Sequence, residues 1–273
     1  MNNSTIIHSY LYSAALQAAL EAGKKALSFF RSGYTIKYKT DSSPVTDADM
    51  AAHQVIHDRL LPFGLPMLSE ESTIFDYEER QHWQQFWLVD PLDGTKEFIS
   101  GNGEFTVNIA LIVEQTPVFG VVYAPVPDVM YFGFDNGSYK VEKASERSQA
   151  EFNLEALLLT AVKLPCSNTS TFTVVASRSH LNKETADFIE NLKLKHGKIS
   201  KITKGSSLKL CAVAEGSANM YPRIGPTMEW DIAAGHAVLK FADGTVRATA
   251  DSLDLKYNKP DLRNPDFIAV GME

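Results

Sequence analysis

Cysteine is nearly absent: Cys166 and Cys211 are the only two in 273 residues, and no Cys-x-x-Cys spacing occurs. That excludes a disulfide scaffold and fits a reducing cytoplasm, and neither residue has the surroundings of a nucleophile. No apolar run approaches the roughly 18 residues of a membrane span. Residues 1–10 lack a basic region ahead of their apolar positions, so no secretory leader is expected. Basic charge is also short, with 26 Lys and Arg against 33 Asp and Glu and a formal net charge of −7. General nucleic-acid binding is therefore disfavoured. Internal repeats and low-complexity tracts are missing too.

What remains is the composition of a soluble globular protein, 44% hydrophobic and 22% charged, with enough length for one large domain or two packed subdomains. Helical spacing runs over residues 6–30 and ends near Gly33. Thr46 can cap a second helix, with Asp49 at the third position as in a capping box, ahead of an amphipathic stretch over residues 50–61. Strands are expected at residues 86–89, 105–113, 118–123, 129–134 and 172–176, with an extended stretch at 218–221. Helices are expected at 183–192, 206–214 and 231–240. The polar segment 142–154 reads as a join between two halves, 1–150 and 151–273. The coarse expectation is sheets with helices over them.

One run concentrates the chemistry. Asp90-Pro91-Leu92-Asp93-Gly94-Thr95 follows the apolar Phe86-Trp87-Leu88-Val89. Two acids three residues apart at a strand end repel unless a cation lies between them, and hard carboxylate oxygens suit Mg²⁺. Gly94 lets the backbone approach a ligand closely, and the Thr95 hydroxyl can position a water. Together these point to phosphate-ester hydrolysis. A lone Asp-Gly-Thr is ordinarily just a turn, and Asp243-Gly244-Thr245 reads as one. The first copy differs because Glu70-Glu71 ends another short apolar run upstream, and Asp47 and Asp49 open a helix.

Softer signals concern the substrate. His180, after Ser177-Arg178-Ser179 at a strand end, can meet a base or ribose, although a lone His is more often a surface or capping residue. Residues 205–209 form a small-residue turn opening a helix, which favours an anion. Lys209 adds charge there, and Arg223 after Tyr221 can clamp a phosphate.

Several motifs together resemble the inositol monophosphatase superfamily. They are Pro44-Val45-Thr46-Asp47-Ala48-Asp49, Ser69-Glu70-Glu71, Asp90-Pro91-Leu92-Asp93-Gly94-Thr95 and Trp230-Asp231-Ile232-Ala233-Ala234-Gly235. Within it, Ser177-Arg178-Ser179-His180, Gly205-Ser206-Ser207-Leu208-Lys209 and Tyr221-Pro222-Arg223 are similar to the bacterial 3′(2′),5′-bisphosphate nucleotidases. The likeness implies an α+β fold, a layered α-β-α-β-α sandwich with the site between two subdomains. It implies cleavage of the 3′-phosphate of adenosine 3′,5′-bisphosphate to AMP, in sulfur metabolism, with two or three Mg²⁺ ions and sensitivity to lithium.

By the same resemblance, Glu70, Asp90, Asp93, Asp231 and the Leu92 carbonyl hold metal, the first four from side chains. Asp49 and Thr95 match the pair that activates the attacking water, and Glu70 is counted with them as catalytic. Gly94, Thr95, Ser177, His180, Gly205, Lys209, Arg223 and Asp231 match substrate-contacting positions. The first half then carries most metal ligands, and the second carries Asp231 and the nucleotide contacts. A small nucleotide is the implied partner. The implied location is cytoplasmic; some relatives contact the inner membrane, but no lipidation or amphipathic anchor is evident here.

Three rivals are weighed. Another phosphatase of the superfamily, acting on inositol monophosphate or a sugar phosphate, fits the Ser-Arg-Ser-His and Tyr-Pro-Arg segments less well. A haloacid-dehalogenase-type phosphatase needs Asp-x-Asp-Gly-Thr, whereas here two residues separate the acids. A non-catalytic relative would show a degraded acid set, and every expected acid is present.

Overall fold

The computed structural model describes residues 3–38, 44–72, 75–148, 151–178 and 182–272, with side chains from residue 8 onward. The chain opens with helix α1 (Asn3–Ser32), the hairpin β1 (Ile36–Tyr38) and β2 (Pro44–Thr46), and helix α2 (Asp47–Leu60). Then come β3 (Met67–Ser69), α3 (Tyr77–Arg80), β4 (Gln85–Asp93), α4 (Thr95–Ile99), β5 (Thr106–Val113), β6 (Thr116–Ala124), β7 (Val129–Phe134) and β8 (Gly137–Glu142). Next are α5 (Leu154–Leu158), β9 (Val162–Lys163), β10 (Thr173–Ser177), α6 (Lys183–His196) and β11 (Ser200–Lys204). The chain closes with α7 (Leu208–Glu215), β12 (Met220–Arg223), α8 (Glu229–Lys240), β13 (Thr245–Ala248) and β14 (Phe267–Val270).

Two sheets result. One has seven strands in the order β3-β4-β5-β6-β7-β8-β9, and the other has five in the order β11-β10-β12-β14-β13. The central strands are covered on both faces, so they read as continuous apolar runs and not as an alternation of apolar and polar. Side chains still alternate. On β4, Trp87 and Val89 join the core under α1 and α2, while Phe86 and Leu88 join the core shared with α7 and α8. On β10, Val175 faces that same central layer, while Val174 and Ala176 pack with Ile189 of α6. The layers are thus α1/α2, seven strands, α7/α8, five strands, α6. This is the layered α+β sandwich that the resemblance implies. Helix α8 is buried nearly all round, as a helix trapped between two sheets must be.

The polar stretch 142–154 does not join the two sheets. Phe152, Leu154 and Leu157 pack into the α1 core, and β9 pairs with β8. The crossing comes later, over residues 164–172. Polarity at 142–148 marks a largely exposed rim there rather than a boundary.

Leu88 sits at the centre of this construction, 1% exposed, between the seven-stranded sheet and α8. Leu88→Ala should lower unfolding free energy by about 2–5 kcal/mol through lost transfer energy and a residual cavity. A urea titration followed by circular dichroism measures it; a loss well under this range would show that the two sheets do not share one packed middle layer.

Candidate active site

Alternation along β4 turns Asp90 the same way as Phe86 and Leu88, toward α7 and α8. Asp93, three residues on, would by the same rule face the opposite side. A bulge prevents this. Asp90 pairs with Asn108 and Asp93 with Thr106, so Pro91 and Leu92 of β4 together oppose Val107 of β5. The extra residue brings both acids to the α8 side, and Pro91 lies where the ladder has no use for its missing N–H. Strand β4 therefore runs through both acids, where the sequence suggested a turn beginning at Asp90. The turn starts at Gly94, whose φ of 93° is left-handed.

Asp231 approaches from the other side. It is the third residue of α8, not a residue ahead of the helix, and its Oδ2 accepts the Met228 N–H at 2.8 Å. Glu70 arrives directly after β3. Carboxylate oxygens of Glu70, Asp90 and Asp231 lie within 4.8 Å of one another. Asp93 lies outside that trio. Its Oδ2 accepts Ser206 Oγ at 2.7 Å and Asn108 Nδ2 at 3.3 Å.

Such a cluster is electrostatically unfavourable by itself. Burial, and then repulsion from Glu70, Asp93 and Asp231, pushes the Asp90 carboxyl well above its usual value. Burial, then Asp93 and Glu70, does the same to Asp231. The donor set is all hard oxygen, and the Leu92 carbonyl is within 3.5 Å of Thr95 Oγ1. These residues suit Mg²⁺.

Asp49 does two jobs at once. Its Oδ2 accepts the Thr46 N–H at 2.8 Å and Thr46 Oγ1 at 2.5 Å, completing the capping box of α2. Its Oδ1 accepts Thr95 Oγ1 at 3.2 Å. Burial raises the Asp49 carboxyl despite these hydrogen bonds. The Thr95 hydroxyl is thereby tied to a carboxylate that water scarcely reaches.

A cavity of about 280 Å³ collects these groups, lined among others by Glu70, Asp90, Asp93, Gly94, Thr95, Ser177, Lys209, Arg223 and Asp231. Asp49 reaches it only through Thr95. Lys209 is 8% exposed; its Nζ donates to the Ser206 carbonyl at 2.5 Å and lies 5.6 Å from the centre of the Tyr221 ring. Burial lowers the pKa of this ammonium, and Asp93 partly offsets the shift. Arg223 is the last residue of β12. Its Nη2 donates to the Pro226 carbonyl at 2.8 Å, while its buried Nε has no hydrogen-bond partner among the described residues. Gly205 is set back from the cavity, and its N–H is taken by Glu104. His180 lies outside the described residues. A larger hollow of about 1540 Å³ against α1 and α2 shares no residue with the acid trio.

Sequence reasoning gave no role to the residues that hold the acids in place. Thr106 and Asn108 are fully buried polar residues two apart on an otherwise apolar strand. That pattern is their signal, since buried polar groups need partners. Thr106 Oγ1 meets Ser206 Oγ at 2.6 Å, and Asn108 Nδ2 donates to Ser207 Oγ at 3.0 Å. Ser207 Oγ in turn donates to the Asp231 carbonyl at 2.8 Å.

With this geometry in view, comparison with known proteins decides the family. The inositol monophosphatase family matches residues 8–271. The chain belongs to the inositol monophosphatase family. Members of this family are Mg²⁺-dependent. The chain is 46% identical over 226 residues to the 3′(2′),5′-bisphosphate nucleotidase CysQ of Salmonella typhimurium, covering 81% of this chain and 84% of that protein. It is 49% identical over 210 residues to the protein of the same name from Escherichia coli strain K12, covering 76% and 77%. The crystal structure of CysQ from Bacteroides thetaiotaomicron superposes with a TM-score of 0.87 at 45% identity, covering 94% and 96%.

The raised carboxyls predict a pH dependence. The folded, metal-free protein binds protons at Asp90 and Asp231 more tightly than the unfolded chain does. The stability they contribute is fully present below the ordinary carboxylate pKa of 3.8 and is lost as pH rises through the raised values. In chelator, the melting temperature of wild type relative to Asp90→Asn should fall as pH rises above 3.8, and Mg²⁺ should reverse the fall. A difference that stays flat with pH would contradict the repulsion argued here.

Proposed function

We propose that this chain is a Mg²⁺-dependent 3′(2′),5′-bisphosphate nucleotidase that removes the 3′-phosphate of adenosine 3′,5′-bisphosphate, leaving AMP and phosphate. The observation that carries this reading is one cavity lined both by a cluster of acids and by two cations. Glu70, Asp90 and Asp231 form a cluster that suits metal cations. Lys209 and Arg223 line the same cavity and add positive charge for an anion. A ligand with two phosphates uses both sets of groups; a monophosphate uses the first. The likeness to the CysQ proteins supports the same substrate.

In this reading two or three Mg²⁺ ions are held by Glu70, Asp90, Asp93, Asp231 and the Leu92 carbonyl. Bound there, Mg²⁺ neutralises the acids and stabilises charge on the transferring phosphate. Thr95, held by Asp49, orients the attacking water and passes its proton toward the carboxylate. Gly94 brings its backbone against the phosphate. Ser177, on the central-layer face of β10, lines the wall beside the nucleotide. The seven-stranded and five-stranded parts act as the two subdomains that enclose the cleft.

The test of the activity is phosphate release from adenosine 3′,5′-bisphosphate and from inositol 1-phosphate, with and without Mg²⁺. Preference for the nucleotide, abolished by chelator, supports the proposal; equal or greater use of inositol 1-phosphate refutes the substrate.

Two residue-level outcomes follow. Asp49→Asn and Thr95→Ala should each lower kcat by about 10²–10⁴-fold with little change in KM, since they act on the water; a change in KM alone would confine Thr95 to phosphate binding. Arg223→Ala should cost roughly ten- to a hundredfold in kcat/KM for the bisphosphate and spare a small monophosphate, because a charge-assisted contact is worth about 1.5–3 kcal/mol. Equal losses on both substrates would remove Arg223 from substrate recognition.

A further inference from the structure

One contact beside the cavity is used by neither the acid cluster nor the two cations. Glu104 lies on the loop between α4 and β5, part of the seven-stranded unit. Its Oε2 accepts Arg178 Nε at 2.8 Å, and its Oε1 accepts Arg178 Nη2 at 3.0 Å. The same Oε2 accepts the Gly205 N–H at 2.8 Å. Arg178 directly follows β10 and Gly205 directly follows β11, so both belong to the five-stranded unit. A single carboxylate thus joins the two walls of the cleft.

The backbone is fitted to this contact. The Glu104 N–H donates to Asn102 Oδ1 at 2.8 Å, which holds the loop in a tight turn. The Glu104 carbonyl is wedged between two glycines. A Cβ on Gly205 would lie 2.9 Å from that oxygen, and one on Gly94 would lie 3.3 Å from it. Gly205 is therefore a close-approach glycine as much as a turn residue. Burial acts to raise the Glu104 carboxyl, but the hydrogen bonds from Arg178 and Gly205 outweigh it and hold it below the usual range.

The neighbours give the contact its reach. Ser177, on the cavity wall, precedes Arg178. Ser206 and Ser207, which grip Asp93 and the Asp231 carbonyl, follow Gly205. Arg178 is 47% exposed along its side chain, so an ordinary ion pair there would add little. The forked guanidinium contact and the third, backbone bond give it a defined direction.

We infer that Glu104 is a positioning residue: with Arg178 and Gly205 it sets the spacing of the two cleft walls, and so the seating of the part of the substrate that does not react. The inference rests on the phosphatase reading above. Glu104 touches no reacting atom, so its effect falls on KM rather than on kcat.

The experiment is a double-mutant cycle on the full chain with Mg²⁺, using Glu104→Ala, Arg178→Ala and the pair. kcat and KM are measured for adenosine 3′,5′-bisphosphate and for p-nitrophenyl phosphate, which lacks the far group. Each single variant should raise KM for the nucleotide by about fivefold, the upper range for a half-exposed pair. KM for p-nitrophenyl phosphate should not change. The double variant should be no worse than either single, because both remove one contact. Arg178→Lys should lose most of the effect, since an ammonium cannot fork.

Effects that multiply in the double variant, or equal kcat losses on both substrates, would overturn the inference. If an alanine variant fails to fold, Glu104→Gln and Arg178→Lys carry the same cycle. A wild type that turns over another phosphomonoester and not the nucleotide refutes the substrate assignment alone. The latch is then judged by the same cycle on that ester, with additivity as the contrary result.

Discussion

Mutual repulsion among clustered carboxylates is the constraint on which this structure turns. Carboxylate oxygens of Glu70, Asp90 and Asp231 are brought within 4.8 Å of one another, with Asp90 2% exposed and the other two partly buried, so that water screens them only in part. No packing force favours this arrangement. It persists because each acid is fixed by its own element, and in the proposed function a divalent cation would convert the repulsion into attraction. The three come from three places: the end of β3, the end of β4 and the first turn of α8. The acid cluster therefore spans the seven-stranded sheet and the middle helical layer, and an ion held there would couple to their packing.

The surrounding construction serves that convergence. The bulge in β4 brings Asp93 to the side Asp90 already faces. Buried Thr106 and Asn108 on β5, with Ser206 and Ser207 ahead of α7, hold Asp93 and the backbone at Asp231 through a chain of hydroxyl and amide contacts. The Thr46–Asp49 capping box starts α2, and the second Asp49 oxygen is left for Thr95. Asp49 therefore does not have to be either a cap or a catalytic group. The cations of the cleft are treated differently. Lys209 is buried against Tyr221 and Ser206, while Arg223 is partly exposed. That asymmetry makes Arg223 the more available of the two for a ligand.

Much of this was legible in the residues. The Asp-Pro-Leu-Asp-Gly-Thr run, the Ser-Glu-Glu strand end and the Trp-Asp-x-Ala-Ala-Gly helix start each combine an element boundary with a carboxylate, and boundaries are written locally. Helix α1 and strands β5 to β7 came from periodicity. Other features depend on pairing between distant segments and were not readable. The bulge at 90–93 exists only relative to β5. The role of Ser206 and Ser207 exists only once α7 lies beside β4 and β5. The join between the sheets lies beyond the polar stretch because polarity at 142–148 reports exposure, whereas β9 belongs to the first sheet through its pairing with β8. The grip of Glu104 on Arg178 joins residues 74 apart in the chain, so only the fold shows it.

The most direct test of the central claim is an anomalous difference map from a crystal soaked in Mn²⁺, a cation with the same preference for oxygen ligands as Mg²⁺. The account predicts a peak within bonding distance of carboxylate oxygens from Glu70, Asp90 and Asp231. Saturating Mn²⁺ that leaves this trio empty, in a protein that still hydrolyses phosphate esters, would contradict it.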